Sequence, residues 1–357
     1  MTNFVVPGME KYVAPGHTIF PIPGHPISGT LEATGLGIFD KLLELLFYVS
    51  DIETGGTFTM SIFFQVVLPV ILVFFSGYAL QKFLHLEIKS ISSVVLYIML
   101  PCLVFKTFYE ATFDQDYLMM VVFSILLLFS ILLINKIAAK LLNYETSTES
   151  GLILSTAFMN AGNYGAPIVL FAFGEQGFVY SVSFMVLQQI VMNFFGVYYA
   201  AKGAAGIGMA LKTVLKMPPT HAVWIALVFK YTAMPISDNV MSSVQLVGNA
   251  TIPTVMILLG MQLANITVRN LSWDKISYAA TLRLVGSPLI AWALTVILPM
   301  SDMMANVMII SAAMPSAATT TMYAVQFDSK PELVSSITLI TTVLSIVSIP
   351  ITLNILT

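Results

Sequence analysis

The chain has 357 residues, 57% of them apolar and only 9% charged, with a net charge of −3 and a mean hydropathy of +0.89. A soluble globular domain carries about a quarter charged residues, so this is not a soluble chain, and the small net charge gives no reason to expect a nucleic-acid partner. Cys102 is the one cysteine and the four histidines are scattered, which leaves no basis for a disulfide framework, a thiolate centre or a paired-histidine metal site. No metal and no cofactor is expected.

Residues 1–59 differ from the rest in their Pro- and Gly-rich "VAPGHTIFPIPGHPISG", and they lack the basic, apolar, small-residue order of a signal peptide. Two readings stand. Ile38 to Val49 forms a short amphipathic helix at a membrane surface, or the natural start is Met60 and the extension is upstream sequence.

From Ser61 onward, apolar runs near twenty residues recur, each long enough for a bilayer core of about 30 Å. They predict ten spans, near 61–80, 89–109, 117–141, 150–173, 177–200, 219–233, 239–266, 276–299, 303–326 and 332–355. Lys and Arg gather in the loops after the odd-numbered spans (Lys82, Lys136, Lys140, Lys202, Lys275, Lys330), whereas the opposite loops hold little more than Lys230 and are acidic. Basic loops face the cytoplasm, so both termini are predicted outside a multi-pass plasma-membrane protein.

The two halves resemble each other. "ILSTAFMNAGNYGAPIVLFAFGEQG" aligns with "IISAAMPSAATTTMYAVQFDSKPE", and "LYIMLPCLVFKTF" with "NATIPTVMILLGMQL". The expected organisation is a first five-span repeat over 60–201, a linker at 202–218 and a second repeat over 219–357. An odd number of spans per repeat inverts the second copy. Inverted repeats with Pro- and Gly-interrupted segments at matching places point to a secondary transporter whose site lies at the interruptions.

Asn160, Gly162, Asn163, Gly165 and Pro167 crowd into the middle of the fourth span. Pro167 has no N–H and clashes with the carbonyl four residues back, which predicts a break around Asn163. Gly162 and Gly165 permit backbone angles that other residues resist. The half-helix starting near Pro167 then presents a partly positive N-terminus suited to a carboxylate. Pro315, with Ser316, Thr319 and Thr320, supplies a matching break in the ninth span, and Asn160, Asn163 and Ser316 add neutral donors. Mid-span Gly and Pro also serve ordinary packing and kinking; Pro101 and Pro253 fit either role.

The stretches "STAFMNAGNYGAPIVL", "MVLQQIVMN" and "SAAMPSAATTTMYAVQFDSKPELVSSITLITTVLSIVSIPI" resemble the auxin efflux carrier family in its bacterial branch, over nearly all of Met60 to Thr357. The resemblance implies an all-α polytopic fold of ten transmembrane helices, with broken, crossing fourth and ninth helices, a scaffold domain and a transport domain. It also implies elevator-like alternating access and carriage of organic anions. By the same resemblance Asn160 and Pro315 mark the crossing, with Gln188 and Asn193 lining the pocket, and a homodimer is compatible with it. The short linker departs from plant members, which favours a dicarboxylate such as malate or malonate over an auxin-like carboxylate.

Mid-span carboxylates are nearly absent, with Glu110 and Asp328 near span ends, whereas proton-coupled carriers usually bury a titratable acid. The expectation is therefore an anion carrier driven by its own gradient and the membrane potential. Outward movement of one negative charge down 100 mV gains about 2.3 kcal/mol, enough for roughly fifty-fold accumulation. Arg283 either pairs with substrate, holds a domain interface or snorkels to the inner surface, and Lys106 is expected to snorkel toward Glu110. Adjacent Gln188 and Gln189 point about 100° apart, so at most one of them faces the site. A sodium-coupled importer of bile-acid type and a ligand-binding membrane sensor are the competing readings. An enzyme is not expected, because no GxSxG, HExxH or catalytic aspartate pair occurs.

Overall fold

Four prolines in the chain are each preceded, two residues earlier, by the end of a wide π turn: Phe63–Val67 before Pro69, Val95–Met99 before Pro101, Ala161–Gly165 before Pro167 and Leu282–Gly286 before Pro288. In a regular helix the proline ring would strike the carbonyl four residues back. Here that carbonyl lies inside the wide turn, where an extra residue per turn moves it aside, and the helix continues. A fifth such turn, Met192–Gly196, has no proline after it.

These turns join the helices of a computed structural model that describes residues 61–200, 218–265 and 272–356. The expected extension 1–59 and all but the last residue of the expected linker lie outside the described residues. Within them, regular structure is helical: α1 (Phe63–Leu84), α2 (Ile88–Glu110), α3 (Gln115–Leu141), α4 (Thr146–Ala157), α5 (Ala161–Ala200), α6 (Pro218–Tyr231), α7 (Asp238–Ala264), α8 (Trp273–Ile297), α9 (Asp302–Ala312), α10 (Ala318–Gln326) and α11 (Pro331–Leu356). Seven of these (α1, α2, α3, α5, α7, α8 and α11) are long and apolar enough to cross a membrane. The other four are shorter; α6, with 14 residues, reaches about 21 Å. Helix α5 has 40 residues, in two limbs joined at Gly174, whose φ of 64° and ψ of −164° suit glycine alone.

The helices pack as two groups. In the first, α1 packs on α7, α7 on α2 and α2 on α6, while α3, α4, α5, α8, α9, α10 and α11 form the second set. Small residues set the closest contact in the first group. A Cβ on Gly260 of α7 would lie 1.9 Å from the Phe74 carbonyl oxygen of α1, and one on Gly77 would lie 2.1 Å from that of Ile257. Without the aqueous hydrophobic effect, helices in lipid associate through such backbone proximity. The second group is tied by buried polar side chains. Asn135 of α3 donates to Thr156 Oγ1 of α4 at 2.8 Å, and the Tyr278 hydroxyl of α8 reaches Asn135 Oδ1 at 3.4 Å. The groups meet where α2 and α6 face the second limb of α5, through buried Val104, Val186 and Ala222 with Met185, Ile190 and Val223 around them, and again where α1 and α7 pack against α5 and α1 against α11.

Two charged side chains lie differently from expectation. Lys106 Nζ approaches Asn249 Oδ1 at 3.4 Å, and Glu110 instead accepts from Gln245 Nε2 at 3.5 Å. Polar side chains of α7 are nearer to both than they are to each other.

Candidate functional site

Helices α4 and α9 both stop short, and the strands of backbone that follow them cross. Phe158 is extended after Ala157, while Ala313 to Ala317 unwinds after Ala312. At the crossing the backbone N–H of Asn160 donates to the Pro315 carbonyl at 2.8 Å, and that of Ala317 donates to the Phe158 carbonyl at 3.0 Å. Met159 and Ser316 thus form an isolated antiparallel bridge. Non-helical backbone in a membrane protein must find its partners inside the protein, and here each unwound segment satisfies the other. Ser316 is fully buried; its hydroxyl donates to the Ser155 carbonyl at 2.5 Å, and its N–H donates to Thr341 Oγ1 of α11 at 3.3 Å.

The break in the fourth segment falls earlier than the proline suggested. The second half-helix begins at Ala161, not near Pro167, and runs through Asn163 as a π turn, with Gly165 N–H bonded to the Asn160 carbonyl at 2.9 Å. Nor do Gly162 and Gly165 supply unusual angles, since Gly174 alone among the described glycines has positive φ. Their role is space. A Cβ on Gly162 would stand 3.0 Å from Met185 Sδ, and one on Gly165 would stand 3.2 Å from Met314 Cγ.

A cavity of about 100 Å³ opens at the crossing, between the two helix groups. From the second group come Phe158 to Asn163, Met185, Gln188, Gln189, Ala317 and Thr319; from the first come Leu100 and Leu103 beside Pro101, Pro219 and Thr220, and Thr251 and Ile252 before Pro253. The volume holds several water molecules, which suits a small ligand. The N-termini of α5 and α10 adjoin it, and no side chain caps either one. Each carries about half a positive charge. Among the described residues no charged side chain lines the cavity, so its polarity there comes from amides, hydroxyls and helix ends. Asn160 is 6% exposed, and its Nδ2 has no hydrogen-bond partner among the described residues. A buried amide donor without an acceptor costs about 1–3 kcal/mol.

Of the residues singled out in the sequence, Asn160, Gly162, Asn163, Gln188 and Thr319 line this cavity. Gln188 also donates to Ser124 Oγ at 2.8 Å, and its neighbour Gln189 lines the cavity as well, so both glutamines reach it where at most one was expected. Gly165, Pro167, Pro315, Ser316 and Thr320 stand behind the lining; Thr320 bonds the Ala317 carbonyl at 2.7 Å. Asn193 is not in the lining either, because its Oδ1 accepts from the Tyr323 hydroxyl of α10.

Arg283 does not snorkel. It is fully buried, with Nη1 donating to the Thr156 carbonyl at 2.6 Å and Nη2 donating to Ser287 Oγ at 2.6 Å and to the Ala312 carbonyl. It lies outside the cavity lining. Met185, Thr220 and Thr251 were not legible as site residues, although Thr251 stands two residues from Pro253, whose placement inside a span was visible.

A family model described as membrane transport protein (Mem_trans) matches the chain twice, over residues 62–209 and 204–353. An uncharacterized transporter of Methanothermobacter thermautotrophicus is 25% identical over 296 residues, covering 80% of this chain and 96% of the relative. A second, from Methanocaldococcus jannaschii, is 26% identical over 297 residues, with the same two coverages.

Proposed function

Because the chain belongs to the membrane transport protein family, that of the auxin efflux carriers, we propose that it is a secondary carrier of small organic anions whose binding site is the cavity at the crossing. The observation that carries this reading is Asn160, whose buried Nδ2 has no hydrogen-bond partner among the described residues, beside two helix N-termini that no side chain caps. Helix N-termini stabilise anions through aligned backbone dipoles, and no carboxylate among the described lining residues opposes them.

In this reading the short helices complete the ten spans. Helices α4 and the first limb of α5 make the fourth, the second limb of α5 the fifth, α6 the sixth, and α9 with α10 the ninth. Two inverted repeats of five follow, with both termini outside the plasma membrane. The group of α1, α2, α6 and α7 is the scaffold, and the other group slides against it as an elevator. The apolar contact of α2 and α6 with α5 supports this, because it holds few polar bonds that a displacement would break. The anion is a dicarboxylate such as malate or malonate, or an auxin-like carboxylate, and leaves the cell down its gradient and the membrane potential.

The test is counterflow in proteoliposomes with a panel of mono- and dicarboxylates, with and without a sodium or pH gradient. Exchange of at least one carboxylate without either gradient is expected. Uptake that strictly requires sodium would replace this reading with an importer, and no carboxylate flux at all would end it.

A further inference from the structure

The crossing has a second pole. Thr156 and Ala312 lie at the C-terminal ends of α4 and α9, and each helix end carries about half a negative charge. The Arg283 guanidinium bridges both carbonyls and Ser287. Among the described residues it makes no ion pair with a carboxylate. A buried charge without compensation is strongly unfavourable. Here the two helix ends together supply roughly one opposing charge, so the pair of broken helices and the arginine neutralise each other. Half-helix C-termini with converging carbonyls are also the kind of site that holds a bare monovalent cation in membrane carriers. In this chain a side chain already fills it. Arg283 lies within the π turn Leu282–Gly286 of α8, ahead of Pro288, and Ser287 fixes one edge of its fork.

We infer that Arg283 is the built-in cation of the crossing, a positioning residue that takes the place of an exchangeable ion and makes anion binding independent of sodium. The sodium-independence of anion binding rests on the proposed function. The occupied cation position does not, and it can be tested without a substrate.

The purified full-length chain is melted in sodium chloride and in choline chloride at equal ionic strength. The wild-type Tm is expected to be the same in both. Arg283→Ala is expected to melt lower, and about 20 mM guanidinium chloride, far below denaturing levels, is expected to raise its Tm by several degrees while leaving the wild type unmoved. Arg283→Lys is expected to fall between them, because an ammonium lacks the planar fork that reaches three acceptors. A wild-type Tm that rises with sodium overturns the inference, as does an alanine variant that melts with the wild type or ignores guanidinium. If that variant does not accumulate, the wild-type sodium comparison and Arg283→Lys decide, and a lysine variant that melts with the wild type counts as failure. Absent carboxylate exchange in proteoliposomes would count against the anion carrier alone and leave these melting results standing.

Discussion

Asn160 and Pro315, 155 positions apart in a 357-residue chain, share one backbone hydrogen bond of 2.8 Å at the point where two broken helices cross. That bond uses main-chain atoms alone, so the Asn160 side chain is left for other work. Its Nδ2 is buried beside the cavity and has no partner among the described residues.

Asn160→Ala is therefore expected to leave folding nearly intact while lowering carboxylate exchange at least ten-fold, the equivalent of about 1.4 kcal/mol of lost binding or transition-state interaction. Counterflow and a melting curve on the same preparation check both halves. Near-normal exchange would remove Asn160 from the site.

Ser316→Ala tests the opposite case, a residue behind the lining. Its hydroxyl serves the buried Ser155 carbonyl, so truncation is expected to cost about 1–3 kcal/mol of stability. The Tm should drop, and the apparent affinity for substrate in the surviving protein should change little.

Gly260→Ala should be severe. The new methyl group would meet the Phe74 backbone, which cannot rotate away as a side chain would; this places the cost at or above the upper end of the about 1–3 kcal/mol typical of overpacking. Reduced yield of monodisperse protein in detergent is the expected outcome. Wild-type yield and Tm would mean that α1 and α7 are not so closely apposed.

Sidedness can be read with single cysteines in a Cys102→Ser background. An impermeant maleimide applied to intact cells is expected to label Glu175→Cys and Asp302→Cys, and to reach Glu145→Cys only after lysis. All three positions are exposed. Labelling of Glu145→Cys from outside would invert the proposed orientation.

The amino-acid sequence alone determined that the chain lives in a bilayer, where its apolar segments fall and that something unusual happens near Asn160 and Pro315. Length and hydropathy are local quantities, and proline and glycine are legible one residue at a time. It did not determine where the fourth segment breaks. Pro167 was the obvious candidate, yet a π turn absorbs its ring, and the chain unwinds at Phe158 to Asn160 because Pro315 and Ala317 are there to take its hydrogen bonds. Likewise, Asn193 looks like Asn160 in sequence, but Tyr323 claims its carbonyl oxygen. Arg283 reads equally as a substrate partner, an interface residue or a snorkelling charge until Thr156 and Ala312 converge on it. Those decisions belong to tertiary structure for a physical reason: buried polar groups take the partners that distant segments bring within about 3 Å, and no local pattern encodes which segments will arrive.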